Sequence, residues 1–338
     1  AIAYEIVRER IRSSSTEEAV ERAMPNIIGA YSCILMTATK LIAFRDPDGF
    51  RPLCIGKTTD GAYLVASESC ALETVGAEFL RDVRPGEIVV IGKDGLRSIT
   101  THCRKSSNIC IFEYIYFARP DSVIEGISVH HARVMAGRIL AKYSPVEADI
   151  VVGVPDSGLD AALGYAEQSG IPYGIGFIKN KYIGRSFIQP SQNQRESAVK
   201  IKLNAVRESV RGKRVIMIDD SIVRGTTSAR IVHLLREAGA SEVHVRISSP
   251  VFRHTCHFGT DIDSEENLIA NHCETTEDIA KYIGADSLAY LPTEALSELI
   301  GGKQEFCRGC FTGDYPLDVS GAVSKNKFDE KIHKVTEE

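Results

Sequence analysis

The chain has 338 residues, 43% of them hydrophobic and 25% charged, with a formal net charge of -5 at pH 7. Its length suits about two domains with sizeable cores, and its acidic balance, relieved only by a short basic stretch from Lys179 to Arg185, excludes non-specific nucleic-acid binding. No apolar run approaches a membrane span, and nine cysteines, an odd number, do not describe a secreted disulfide scaffold.

An amphipathic helix is predicted over residues 3–11. The chain lacks an initiator Met and begins inside this helix, so the natural polypeptide is expected to extend upstream; its amino end also lacks a signal peptide's apolar core. A cytoplasmic location is expected, with an organelle left open because a leader can precede Ala1. Strand-type runs follow at 26–36, 41–44, 62–66 and 87–91, with a polar turn at 46–53 and one helix near 70–80. Several strands with few helices and no regular alternation indicate an α+β unit to about residue 105.

From about residue 106 the rhythm alternates. Helices are predicted at 131–142, 158–168, 197–210 and 229–236, and strands at 148–154, 173–178, 215–218 and 243–247. Short helices at 276–283 and 293–300 flank a strand at 287–291, and a polar tail follows Tyr315. This pattern predicts a doubly wound parallel sheet, so the fold class is α/β.

The most informative segment begins with the apolar run from Val215 to Ile218 and continues through Asp219, Asp220, Ser221, Ile222, Val223, Arg224, Gly225, Thr226 and Thr227. The run reads as a buried parallel strand, and no core holds two adjacent unpaired acids. The pair is therefore placed at the strand's carboxyl end, where open α/β sheets bind ligands. Backbone N–H groups, hydroxyls and a helix start then converge beyond it, an arrangement that binds phosphate. Acids beside an anion site suit a phosphorylated sugar, whose diol they hold.

A second strand, running to Val154, ends in Pro155, Asp156, Ser157 and Gly158, which offers another anion site. Residues 179–196 form a long polar connection. Its cations Lys179 and Arg185 can neutralise a leaving anion, and Tyr182 can help to exclude water on closure.

The 215–227 segment resembles the phosphoribosylpyrophosphate (PRPP) motif of type I phosphoribosyltransferases. Together with Glu113 to Ser122, the Gly153 to Ser157 loop and the 179–192 loop, taken in order, it resembles the glutamine PRPP amidotransferase family. That resemblance implies a type I phosphoribosyltransferase domain over 106–315, preceded at 1–105 by the carboxyl-terminal part of an α+β N-terminal-nucleophile glutaminase domain, with a polar tail at 316–338. It also implies that ammonia released from glutamine attacks C1 of PRPP, giving 5-phosphoribosylamine in the first committed step of purine synthesis. PRPP is expected on Asp156, Ser157, Gly158, Asp219, Asp220, Ser221, Arg224, Gly225, Thr226 and Thr227, and Mg2+ on Ser157, Asp219 and Asp220. Catalytic roles fall to Asp219, Asp220, Lys179, Tyr182 and Arg185.

Purine nucleotides are implied as feedback inhibitors and a homo-oligomer is expected; no membrane or nucleic-acid partner is. The family's glutaminase nucleophile is an amino-terminal Cys, whereas Ala1 stands first here. This chain alone is therefore expected to use only free ammonia.

Cys307 and Cys310 form a C-x2-C pair, a metal signal that needs two further ligands. One branch of the family carries a 4Fe-4S cluster, and Cys110 and Cys256 match the remaining positions, with Cys103 a rival to Cys110. Zinc stays open, since spacing does not separate these metals. Cys33, Cys54, Cys70 and Cys273 read as core thiols, and His130 and His131 as a helix-start pair. A nucleobase salvage transferase and a PRPP-binding regulatory protein are the rival functions. The first would need neither the α+β region nor the cluster cysteines, and the second requires a DNA-binding segment or a strongly basic face, neither of which is visible.

Overall fold

The computed structural model describes residues 1–104, 106–180, 203–262 and 264–321. Helices α1 (Ile2–Arg10) and α2 (Thr16–Ala23) open the chain, and the Ser15 hydroxyl caps α2 by accepting the Glu18 N–H at 3.2 Å. The first part then forms β1 (Ser32–Met36), β2 (Leu41–Arg45), β3 (Cys54–Lys57), β4 (Tyr63–Ala66), helix α3 (Ser69–Thr74), β5 (Glu78–Asp82), β6 (Ile88–Gly92) and β7 (Gly95–Ile99). They make two antiparallel sheets, of order β1-β2-β6-β7 and β4-β3-β5.

Alternation along the strands decides the layering. Ile42, Phe44, Ile88 and Val90 pack with Ile6, Val20 and Met24 of the helical layer. Ala43 and Val89, on the opposite face, pack with Leu53, Ile55 and Val83 of the second sheet. The expected helix over 70–80 is corrected: it stops at Thr74, Gly76 follows at φ +72, and Phe79 and Leu80 belong to β5. A left-handed glycine ends a helix that hydrophobic count alone would extend.

A π-helical turn, Glu113–Phe117, leads into the second part. There β8 (Val123–Ile124) and β9 (Ile127–Ser128) form a hairpin, followed by α4 (Val129–Tyr143), β10 (Ile150–Gly153), α5 (Leu159–Ser169), β11 (Phe177–Lys179), β12 (Leu203–Ala205), α6 (Arg207–Val210), β13 (Arg214–Asp219), α7 (Thr226–Glu237), β14 (Glu242–Ile247), α8 (Thr276–Ile283) and β15 (Ser287–Tyr290). The order β10-β13-β14-β15 is parallel throughout. Ile216 and Ile218 face one core with residues of α4 and α5. Val215 and Met217 face the other with residues of α7 and α8. Burial on both faces explains the unbroken apolar run.

Two expectations are corrected here. The strand over 173–178 does not join the parallel sheet: Tyr173 makes a single bridge to Val151, and β11 pairs antiparallel with β12. Gly174 and Gly176 weaken the segment as a strand. Of the helix expected over 197–210, residues 197–202 lie outside the described ones, Leu203–Ala205 is a strand, and only Arg207–Val210 is helical. The β11 pairing is a long-range contact that overrides local propensity. The helix at 293–300 divides into a 3-10 turn, Thr293–Ala295, and α9 (Leu296–Leu299). A last short helix, α10 (Gly309–Thr312), follows. Among the described residues no helix is long and apolar enough to cross a membrane.

Candidate active site

Asp219 closes β13 and Asp220 follows it. Both are 7% exposed, so the acids sit at the carboxyl end of a central strand with almost no water to solvate them. Asp219 accepts the Asp220 N–H at 2.9 Å. Burial first, and then the neighbouring negative charge of Asp220, raise the Asp219 carboxyl well above the ordinary range. Burial also raises Asp220, while hydrogen bonds from Ser157 and Ser221 pull it back. Two adjacent buried carboxylates with disfavoured charges suit a partner that brings hydroxyl donors or positive charge.

Ser157 arrives from the neighbouring strand. The 154–158 turn, whose Pro155–Asp156 peptide is cis, lies against the end of β13, and Val154 N–H donates to Ile218 O at 2.9 Å. On the other side of the pair, Gly225 at φ +77 starts α7, a backbone that favours glycine. Arg224, Thr226 and Thr227 are exposed there. Lys179, at the end of β11, forms an ion pair with Asp156 and therefore lies beside the second loop.

Two further residues meet this constellation. The half-exposed Tyr116 is pushed above the usual phenol range by burial and then by the charges of Asp220 and Asp219. Arg133, 4% exposed, donates from Nε to Tyr114 O at 3.0 Å and from Nη2 to Ala118 O at 2.7 Å, and its charge interacts with Asp160 and Asp220. A buried cation on α4 thus pins the π-helical turn that carries Tyr116.

Residues 126–252 match the phosphoribosyl transferase domain family. The chain is 51% identical over 306 residues to an amidophosphoribosyltransferase of Archaeoglobus fulgidus, covering 90% of this chain and 66% of that one. It is 48% identical over 337 residues to that of Methanocaldococcus jannaschii, covering 94% and 70%. The chain belongs to the amidophosphoribosyltransferase family. A solved glutamine PRPP amidotransferase from Bacillus subtilis, complexed with ADP and GMP, superposes with a TM-score of 0.85 at 49% identity, covering 96% of this chain and 71% of that one. The chain spans about two thirds of the length of the curated relatives it matches.

In this amidophosphoribosyltransferase-family chain, Asp156, Ser157, Gly158, Asp219, Asp220 and Ser221 are brought together at the ends of β10 and β13, with Gly225, Thr226 and Thr227 at the adjoining helix start. Tyr182 and Arg185 lie outside the described residues. Sequence reasoning missed Tyr116 and Arg133 as site residues; the segment 113–122 was singled out only by resemblance, and nothing local marks a helical Arg as buried. A cavity of about 550 Å3, lined by residues that include Arg45, Arg104, Glu125 and Lys303, lies away from the acids.

Four cysteines gather in a second place. Cys110, Cys256, Cys307 and Cys310 are all buried. Cys110 and Cys307 form a parallel bridge, with Ile111 N–H donating to Cys307 O at 3.1 Å. The Cys307 thiol is pushed up to about 11, by burial first and also by the charge of Cys256. Cys310 is also raised well above the usual thiol range, by burial and then by Cys110, Cys256 and Cys307. Cys103 stands apart, under the influence of Arg84, Glu87 and Arg81. Cys54 and Cys70 are buried, whereas Cys33 and Cys273 are only partly so. The Ser128 hydroxyl caps α4 by accepting the His131 N–H at 3.3 Å, so His130 and His131 are the helix-start pair expected.

Proposed function

We propose that the protein transfers the phosphoribosyl group of PRPP to ammonia, forming 5-phosphoribosylamine, and that the ammonia derives from glutamine in the whole polypeptide. The observation that carries this reading is the buried Asp219–Asp220 pair, set between a helix start and the Ser157 turn. The names of the relatives support the acceptor.

Asp219 and Asp220 hold the ribose diol, and the hydroxyl donors relieve the unfavourable charge of the pair. Backbone N–H groups and hydroxyls of Gly225, Thr226 and Thr227, with Ser221 and Arg224, hold the 5-phosphate at the amino end of α7. Asp156, Ser157 and Gly158 cradle the pyrophosphate. As its bond to C1 breaks, negative charge grows on the pyrophosphate, and Lys179 stabilises it. Tyr182 and Arg185 are assigned to the same end. Ammonia bonds to C1 with its lone pair and loses a proton as pyrophosphate departs.

Ser157, Asp219 and Asp220 suit Mg2+, which supplies positive charge to the pyrophosphate when bound. The four buried cysteines suit a 4Fe-4S cluster of structural role. The burial of all four thiols and the bridge that joins Cys110 to Cys307 support that reading. Purine nucleotides are proposed as feedback ligands, in line with the ADP and GMP named for the Bacillus subtilis structure. We further assign 1–105 to the glutaminase part, 106–315 to the transferase and 316–338 to a tail.

The test is PRPP consumption with ammonia against a panel of purine and pyrimidine bases. Turnover with ammonia alone is expected. Turnover with a base would overturn the reading in favour of salvage, and tight PRPP binding without any turnover would favour a regulatory protein.

A further inference from the structure

The mechanism makes no use of Arg51, yet its guanidinium is built into the junction of three segments. Nη1 donates to Glu113 Oε1 at 2.7 Å, and Nη2 donates to Phe258 O at 2.9 Å and to Thr260 Oγ1 at 3.0 Å. Its carbon lies 5.0 Å from the centre of the Phe117 ring. Two of these anchors, Glu113 and Phe258, adjoin the cysteine quartet, as does Phe50 before Arg51. Phe50 O, from the residue before Arg51, accepts the Cys110 N–H at 3.0 Å, and Cys110 O accepts the Glu113 N–H at 3.0 Å. Phe258 N–H donates to Cys256 Sγ at 3.3 Å, and the Phe258 ring stacks on Phe50 with centroids 4.2 Å apart.

We propose that Arg51 is the counter-ion of the four-cysteine site, a positioning residue from the first part of the chain whose charge sets the electrostatic potential at a bound iron–sulfur cluster. The inference rests on the cluster reading given above. Four thiolates around such a cluster leave it net negative, and net charge and nearby hydrogen bonds set cluster potentials. Solvent screens little of this interaction, because the Arg51 side chain is 19% exposed and Glu113 8%. Arg51 favours the added electron of a reduced cluster, and Glu113 opposes it. The same guanidinium ties the quartet to the 113–117 turn and hence to Tyr116 beside the acid pair.

The experiment purifies the unaltered chain, R51Q, R51K and E113Q anaerobically, measures iron and acid-labile sulfide, and titrates the cluster with dithionite as the one-electron reductant under electron paramagnetic resonance. The expected results are a midpoint shifted to more negative potential in R51Q, a midpoint near the parent's in R51K, and a shift of opposite sign in E113Q. Opposite shifts from the two partners of one ion pair do not follow from a merely structural role. Equal iron and sulfide in all four proteins with unchanged potentials would overturn the role of Arg51 alone. Absence of iron and sulfide from the unaltered chain would overturn the cluster reading and this inference together. If R51Q does not assemble a cluster, E113Q decides: a shift to less negative potential, with R51K at the parent's value, supports the proposal, and no shift refutes it.

Discussion

A Cβ on Gly158 would stand 2.3 Å from the carbonyl oxygen of Ile218, the residue before the acid pair. The turn from β10 can approach the end of β13 this closely only because residue 158 has no side chain, and the approach lets Ser157 reach Asp220. Gly158→Ala must push backbone from backbone. We predict a destabilisation of about 1–3 kcal/mol, the usual cost of overpacking, and a loss of PRPP affinity of about tenfold, equivalent to roughly 1.4 kcal/mol. Thermal unfolding and a PRPP titration on the same samples measure both effects.

The acid pair predicts a pH dependence of unusual sign. Burial raises both carboxyls above the unfolded value, so the folded state holds protons that the unfolded chain has lost. This contribution favours folding at low pH and is lost as pH rises from the ordinary carboxylate range through the folded-state values. D219N removes a charge that is unfavourable in the ligand-free protein. It is expected to raise the melting temperature at neutral pH while lowering turnover by about a hundredfold or more, the scale of losing a transition-state electrostatic group. Melting curves at several pH values show the effect as a gap between variant and parent that widens with pH. A gap that narrows would contradict the assignment.

Lys179 and Asp156 form an exposed ion pair, and such pairs contribute only about 0–1 kcal/mol. K179A should therefore unfold within that margin of the parent. Its kcat with ammonia should fall by about ten- to a hundredfold if the ammonium group meets the departing pyrophosphate. Unchanged kcat would remove Lys179 from the mechanism.

Arg133 is a different case. Its two hydrogen bonds fill the carbonyls of Tyr114 and Ala118 deep in the core. R133M should cost about 1–3 kcal/mol for each carbonyl left without a donor, seen as a lower urea midpoint. R133K restores one donor and a charge, and is expected to lie between R133M and the parent.

For the cysteines, C256S and C310S should each abolish the iron and sulfide content of anaerobically purified protein. C103S should leave that content unchanged, because Cys103 sits among Arg84, Glu87 and Arg81 rather than with the quartet. Iron lost in C103S but retained in C256S would reverse the assignment.

Much of the second part was legible in the chain. Val215 to Ile218 is apolar without alternation because β13 is covered on both faces, and a run of that kind ending in two acids has few places to go. The first part was harder: β3, β5 and β7 escaped notice because short antiparallel strands with mixed faces lack a strong periodic signal. The helix expected over 70–80 fails at Gly76, and the one expected over 197–210 gives way at Leu203–Ala205 to pairing with Phe177–Lys179. Local sequence encodes neither the partner strand nor its register.

By itself the sequence determined the parallel sheet, the place of Asp219 and Asp220 at a strand's carboxyl end, and the glycine and hydroxyl residues of the helix start. These follow from covalent neighbours and the period of side-chain burial. Only the tertiary structure decided that Ser157 reaches Asp220, that Arg133 lies buried beneath the Tyr116 turn, that Cys110 rather than Cys103 meets the other three cysteines, and that Arg51 stands beside them. Those contacts join residues far apart in the chain, and their existence depends on how complete elements pack.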